Sequence, residues 1–150
     1  MASGNGTYGT VTINGRTYIE REQSFPLVVS MSVNGGINNG SLVLPGTADF
    51  WLKALMRETI IAGASSPARF TFRLGNSDGS TWYQSGGAGG STDQVIDTLM
   101  FGSGQFPFVL NPYIYYSANG SIQYQITDIS SLTPYDIYFS FRGSYLIPTS

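Results

Sequence analysis

The side chains able to do chemistry are few, and their types exclude most common mechanisms. The 150 residues contain no histidine and no cysteine. Histidine is the usual general base near neutral pH and the commonest metal ligand, and a thiolate is both nucleophile and soft ligand. Ser-His-Asp and Cys-His constellations are therefore excluded, as are metal sites built on histidine or cysteine. A serine–lysine dyad would have to use Lys53, the single lysine, and position 50 is Phe, so no Ser-x-x-Lys precedes it. Lys53 reads instead as a solvated residue.

Carboxylates remain. Two of them facing one cleft would suffice for glycoside hydrolysis. The acids are Glu20, Glu22, Asp49, Glu58, Asp78, Asp93, Asp97, Asp128 and Asp136. Most stand beside turn residues, where Asp makes local hydrogen bonds, and no spacing singles out a pair. Asn76-Ser77-Asp78-Gly79-Ser80 begins like a calcium loop but lacks the further acids and the closing Glu. It reads as a turn. Gly86 to Gly90 lacks the Lys-Ser/Thr that would follow a phosphate loop and reads as a mobile surface loop. The residues point to no enzyme, no cofactor and no metal.

The segment Phe106-Pro107-Phe108-Val109-Leu110-Asn111-Pro112-Tyr113-Ile114-Tyr115-Tyr116 is the densest concentration of unusual side chains. One reading puts Phe106, Phe108 and Leu110 in the core. Tyr113, Tyr115 and Tyr116 cannot all be interior unless each hydroxyl finds a partner. Exposed tyrosines suit protein interfaces and sugar stacking. Phe106, Phe108, Tyr113, Tyr115 and Tyr116 are therefore the candidate partner-binding residues.

The elements that must position them read as strands. Val11 and Ile13 lead into Asn14-Gly15, a two-residue hairpin signal, and Thr17 to Ile19 resume beyond it. From Pro26 to Val33 the residues Leu27, Val29, Met31 and Val33 share one face. Asn34 to Gly40 reads as a loop, and Ser41 to Leu44 as a short strand ended by Pro45-Gly46. Residues 49–61 admit two readings. Helix propensity favours a short helix through Leu-Lys-Ala-Leu-Met-Arg-Glu, whereas the β context favours a strand with Phe50, Leu52, Ala54 and Met56 on one face. Arg69 to Leu74, Thr81 to Gln84, Ile122 to Thr127 and Ile137 to Arg142 read as strands, and Val95 to Phe101 as a strand or short helix. Pro107 and Pro112 argue against a long central strand between them. Three Asn-Gly-Ser/Thr triplets, at Asn5, Asn39 and Asn119, read as turns.

These strands, at sandwich-like spacing, indicate an all-β fold: an antiparallel β-sandwich, jelly-roll-like, with the short helix near 49–61 as the open alternative. Residues 1–7 read as a flexible leader and 8–150 as one domain. Charged residues are only 11% of the chain, against about 25% in an average domain. The arginines, Arg16, Arg21, Arg57, Arg69, Arg73 and Arg142, are scattered. No basic stripe exists for a phosphate backbone, so direct nucleic-acid binding is not expected. No apolar run is long enough to span a bilayer.

The pattern resembles small virion structural proteins of tailed bacteriophages, of the capsid decoration, cement or tail-associated type. The residues that carry the likeness are Phe25-Pro26 before an alternating strand, Ala48-Asp49-Phe50-Trp51, Arg69-Phe70-Thr71-Phe72-Arg73-Leu74, Gly102 to Pro112 and Phe141-Arg142-Gly143. The resemblance implies a non-enzymatic protein that binds other virion proteins such as the major capsid protein. It also implies a homo-oligomer, assembled in the host cytoplasm and located in the virion. A tail or connector protein, a carbohydrate-binding module of a phage fibre, and a carboxylate-dependent hydrolase stand as alternatives.

Overall fold

The computed structural model describes residues 9–31, 36–65, 68–83, 95–96, 101–129 and 133–149. The leader at 1–7 and the glycine loop at 86–90 lie outside them, as does most of 97–101. Every regular element among the described residues is a β-strand. In chain order they are β1 (Gly9–Ile13), β2 (Arg16–Met31), β3 (Ile37–Val43), β4 (Asp49–Ile61), β5 (Ala64–Ser65), β6 (Phe70–Asn76), β7 (Thr81–Tyr83), β8 (Val95–Ile96), β9 (Phe108–Tyr116), β10 (Ser121–Asp128) and β11 (Tyr135–Pro148).

They form two antiparallel sheets in an all-β, sandwich-like fold, one sheet curled into a half-barrel. The larger has the order β1-β2-β11-β4-β5, with β9 also paired to β4. The smaller has the order β3-β10-β6-β7, with β8 also paired to β6. Their inner faces meet in one apolar cluster. Phe25, Val29, Ile137, Phe139 and Phe141 of the larger sheet pack on Phe70, Phe72, Ile122 and Ile126 of the smaller. Phe70 meets Phe139 edge-on at 5.7 Å, and Phe101 lies 4.5 Å from Phe72 and 5.1 Å from Phe139. Edge-to-face contacts match the positive rim of one ring to the negative face of the next.

Residues 49–61 are a strand, so the helix alternative is not adopted. β4 is held along most of its length by β11 on one side and by β9 and β5 on the other. A ladder on both edges outweighs a propensity difference of a few tenths of a kcal/mol per residue. The expected face of Phe50, Leu52, Ala54 and Met56 is broken by a register shift at Arg142/Gly143 of β11, which leaves Lys53 as the extra residue. Phe50, Leu52 and Leu55 therefore belong to the core cluster, while Ala54 and Met56 fall on the other phase. Gly143 passes so close to the bulge that a Cβ there would stand 1.9 Å from the Trp51 carbonyl oxygen.

Other boundaries moved. Asn14 and Gly15 take positive φ, as the hairpin signal requires, and so does Asn119 in the turn before β10. Asn39 does not lie in a turn. The expected loop at 34–40 gives way at Ile37 to a seven-residue strand, because Ile37 to Val43 pair residue for residue with β10. Gly40 belongs there because the Tyr124 ring occupies the place of a side chain, within 2.6 Å of where a Cβ would stand. β2 runs straight through Pro26, which faces Ser140 of β11. β1 pairs only with residues 16–20 of β2, so no ladder bond is lost at Pro26.

Candidate functional site

β9 carries most of the aromatic segment along the outer boundary of the curled sheet, and among the described residues it pairs with β4 alone. Its register is interrupted. Ile114 faces Leu52 and Val109 faces Ala54, so residues 110–113 bulge against Lys53. The bulge contains Pro112, whose peptide bond with Asn111 is cis. The expectation about the prolines is met in part: β9 is nine residues long, but it is interrupted and not central.

The alternation along β9 separates the candidates. Leu110 and Tyr116 are buried, and Phe108 and Ile114 are partly buried against the core. Val109, Tyr113 and Tyr115 face outward, and Phe106 is 74% exposed. Two assignments are thereby corrected. Phe106 does not fill the core, because it closes a tight loop in which its carbonyl accepts from the Ser103 N–H and its own N–H donates to Ser103 Oγ. Tyr116, opposite Phe50, is only 2% exposed and offers no contact surface. Phe108 lies between these cases.

Three residues that sequence reasoning did not group with the segment complete the surface. Trp51 of β4, opposite Tyr115, packs against Tyr113 with ring centroids 5.8 Å apart. Lys53 Nζ lies 5.1 Å from the centre of the Tyr113 ring and 2.6 Å from Glu20 Oε1. Glu20 comes from β2, so this ion pair bridges β2 and β4 across the strand between them. Neither partner is exposed beyond about a quarter. The cation is further stabilised by the π face of Tyr113. Alternation alone sets Lys53 on the face of Trp51; the missing signal was the register of β9, whose residues 110–113 bulge against Lys53 and bring Tyr113 to both.

On the same side, the curl brings the β1–β2 hairpin towards β9. Ile13, Asn14, Arg16 and Tyr18 line a depression with Asp49, Trp51, Tyr115 and Leu146. A second depression, at the bulge, is lined by Trp51, Val109, Asn111, Pro112 and Tyr113. Trp51 is shared by both. Asp49 is fully engaged: Oδ2 accepts from the Tyr115 hydroxyl at 2.5 Å and Oδ1 from the Ala118 N–H at 2.9 Å. The hydrogen bond to Asp49, with burial and that carboxylate's charge, pushes the Tyr115 phenol up to about 12. Both carboxylates of this surface are thus tied to donors.

The outer face of the smaller sheet is different. A groove there, of about 670 Å³, is lined by amide, hydroxyl and guanidinium groups, among them Asn39, Ser41, Arg73, Gln123 and Gln125. At its rim the β6–β7 hairpin is closed by Asp78, which accepts from the Ser80 N–H at 2.8 Å and the Ser80 hydroxyl at 2.6 Å. Those two bonds hold the Asp78 carboxyl below its usual range. Its turn role is local, as expected. Among the described residues no three acid side chains come together in a way that could hold a metal ion.

Comparison of the chain with protein-family models, with curated proteins and with solved structures gives no match in any of the three.

Proposed function

We propose that this chain is a non-enzymatic structural protein that works by contact, and specifically a capsid decoration or cement protein of a phage virion. One observation carries the proposal. Phe106, Val109, Tyr113 and Tyr115 stay 44–74% exposed along the β9 boundary of the curled sheet. Leaving a large apolar side chain in water forgoes about 1.5–3 kcal/mol. Contact with another protein would recover much of that. The neighbouring charges suit the same purpose, since Lys53, Glu20 and Asp49 are already paired and would not be stranded by burial. The site would take the major capsid protein or another virion protein as partner.

Quantitative mass spectrometry of purified particles from the encoding phage tests the reading. The chain should be present in a fixed ratio to the major capsid protein. A ratio matching tail components would move it to the tail or connector, and absence from particles would overturn the virion assignment.

A second reading has an observation in its favour. Trp51, Tyr18, Tyr113 and Tyr115 line two adjoining depressions with polar groups between them, as a carbohydrate site would require. Against it, Trp51 and Tyr113 are tilted by 59° and offer no common platform. Glycan-array binding lost in Tyr113→Ala would favour this reading. Tyr116→Ala would not discriminate, because removing a buried ring threatens the fold itself.

A further inference from the structure

We infer that β3 is a self-complementary edge through which two copies of this chain join their smaller sheets into one. The inference rests on the contact-forming reading above and supplies the interface for self-association.

Edges of natural sheets are guarded by proline, bulges, charge or brevity. Most free edges here follow that rule. β9 carries Pro112 and a bulge. The free stretch of β2 contains Pro26, and the Asn38 side-chain amide donates to its Ser30 carbonyl. β5, at two residues, is short. β3 has none of these devices. It is seven residues long, in unbroken register with β10, and contains no charged residue and no proline. Among the described residues no strand pairs with its other side.

The hydrogen-bond phase can be read from the two ends of the ladder. Leu44 N–H donates to the Gly120 carbonyl and Asp128 N–H to the Gly36 carbonyl. In the register of β3 with β10 these are even-numbered β3-side residues, so the even positions bond to β10. The N–H and C=O groups of Ile37, Asn39, Ser41 and Val43 therefore point to the open side. The same four side chains are the exposed ones.

A twofold axis through Gly40 would pair Ile37 with Val43 of the second copy, and Asn39 with Ser41. Every open backbone group on the four residues would then find a partner. Ile37 and Val43, 61% and 58% exposed, would cover one another on the outer face at both ends. Asn39 and Ser41 can hydrogen-bond side chain to side chain. Gly40 would meet Gly40 at the axis, a non-hydrogen-bonded position where the two backbones approach most closely. No like charges would oppose one another. These features select a second copy of the chain over an unrelated strand, because the pattern is complementary to its own reversal.

Sedimentation velocity of the full chain across a wide concentration range tests the joint. Wild type should show a reversible dimer. Asn39→Pro removes one N–H per copy, hence two ladder bonds, and should weaken the dimer by roughly a hundredfold at about tenfold per bond. Ile37→Lys should do at least as much, and both should remain folded by circular dichroism. Register is tested in a chain with no native cysteine. A mixture of Ile37→Cys and Val43→Cys should cross-link through a short bismaleimide, whereas either variant alone should not. A wild-type monomer, a dimer unaffected in a folded variant, or cross-linking of one variant with itself would overturn the joint. A monomer that is nevertheless incorporated into particles would leave the contact-forming reading standing and remove only β3 as its interface.

Discussion

Tyr115 donates its hydroxyl to Asp49 Oδ2 across 2.5 Å, tying the penultimate residue of β9 to the first residue of β4. The other carboxylate oxygen takes the Ala118 N–H. One side chain therefore fixes both the exposed aromatic strand and the loop that follows it.

Tyr115 should ionise late. Its phenol ordinarily ionises near 10 and is pushed up to about 12 by the bond to Asp49, burial and the Asp49 charge. The folded state thus holds this proton more tightly than the unfolded state. The stabilisation is fully present below about pH 10 and is lost as pH rises through about 12. Burial also raises the phenols of Tyr124 and Tyr145, so spectrophotometric titration should show a late-ionising group of tyrosines from which one is missing in Tyr115→Phe. The melting temperature of that variant should fall less steeply over the same alkaline range. An unchanged slope would detach Tyr115 from this account.

Gly143 gives a sharper test of packing. A methyl group there would collide with the Trp51 carbonyl oxygen, and it would stand 2.6 Å from the Phe50 ring. Neither the backbone nor a fully buried ring can move aside cheaply. Gly143→Ala should cost about 3 kcal/mol, read as a shift of the urea midpoint at constant slope. Gly104→Ala, where nothing lies within 4 Å of the added atom, serves as the mild control.

Buried polar groups should be costly to disturb. Asp128, 2% exposed, accepts the Tyr135 hydroxyl at 2.8 Å. Tyr135→Phe keeps the ring and removes that donor, so chemical denaturation should register a loss of about 2 kcal/mol. A loss below the error of the measurement would mean that solvent or another donor takes the place of the hydroxyl.

The Lys53–Glu20 pair should matter less. Both partners keep some exposure, so Lys53→Ala should cost under about 1 kcal/mol, and the difference should shrink as salt is added. An effect independent of salt would locate the contribution in the contact of the lysine stem with Tyr113.

Much of the fold was legible in the residues. Leu27, Val29 and Met31 fall on the core side as their alternation requires, and Asn14-Gly15 makes the hairpin. What escaped was long-range. Nothing local to 49–61 announces that β11 and β9 will pair with it on both sides, and helix propensity pulls the other way. Nothing in Leu52-Lys53-Ala54 signals a bulge, so the strand reading alone sets Leu55 on the face opposite Phe50 and Leu52. Asn38-Asn39-Gly40 looks like a turn until Tyr124 is seen to need the space over Gly40. The candidate surface was half legible: Tyr113 and Tyr115 face outward, but Tyr116 turns inward because alternation continues past the tyrosine pair. Trp51 and Lys53 join the surface only through strand pairing.

The exposed strip along β9 and the loop before it is proposed as a docking surface for virion proteins. The most direct measurement is incorporation of a Phe106→Ser/Val109→Ser variant into particles, after equal stability to wild type has been verified by thermal melting. Both side chains are largely in water, at 74% and 61% exposure, so folding should be unaffected. The variant should be stable yet lost from purified particles while wild type is retained. Incorporation of the variant at the wild-type level would contradict the proposal.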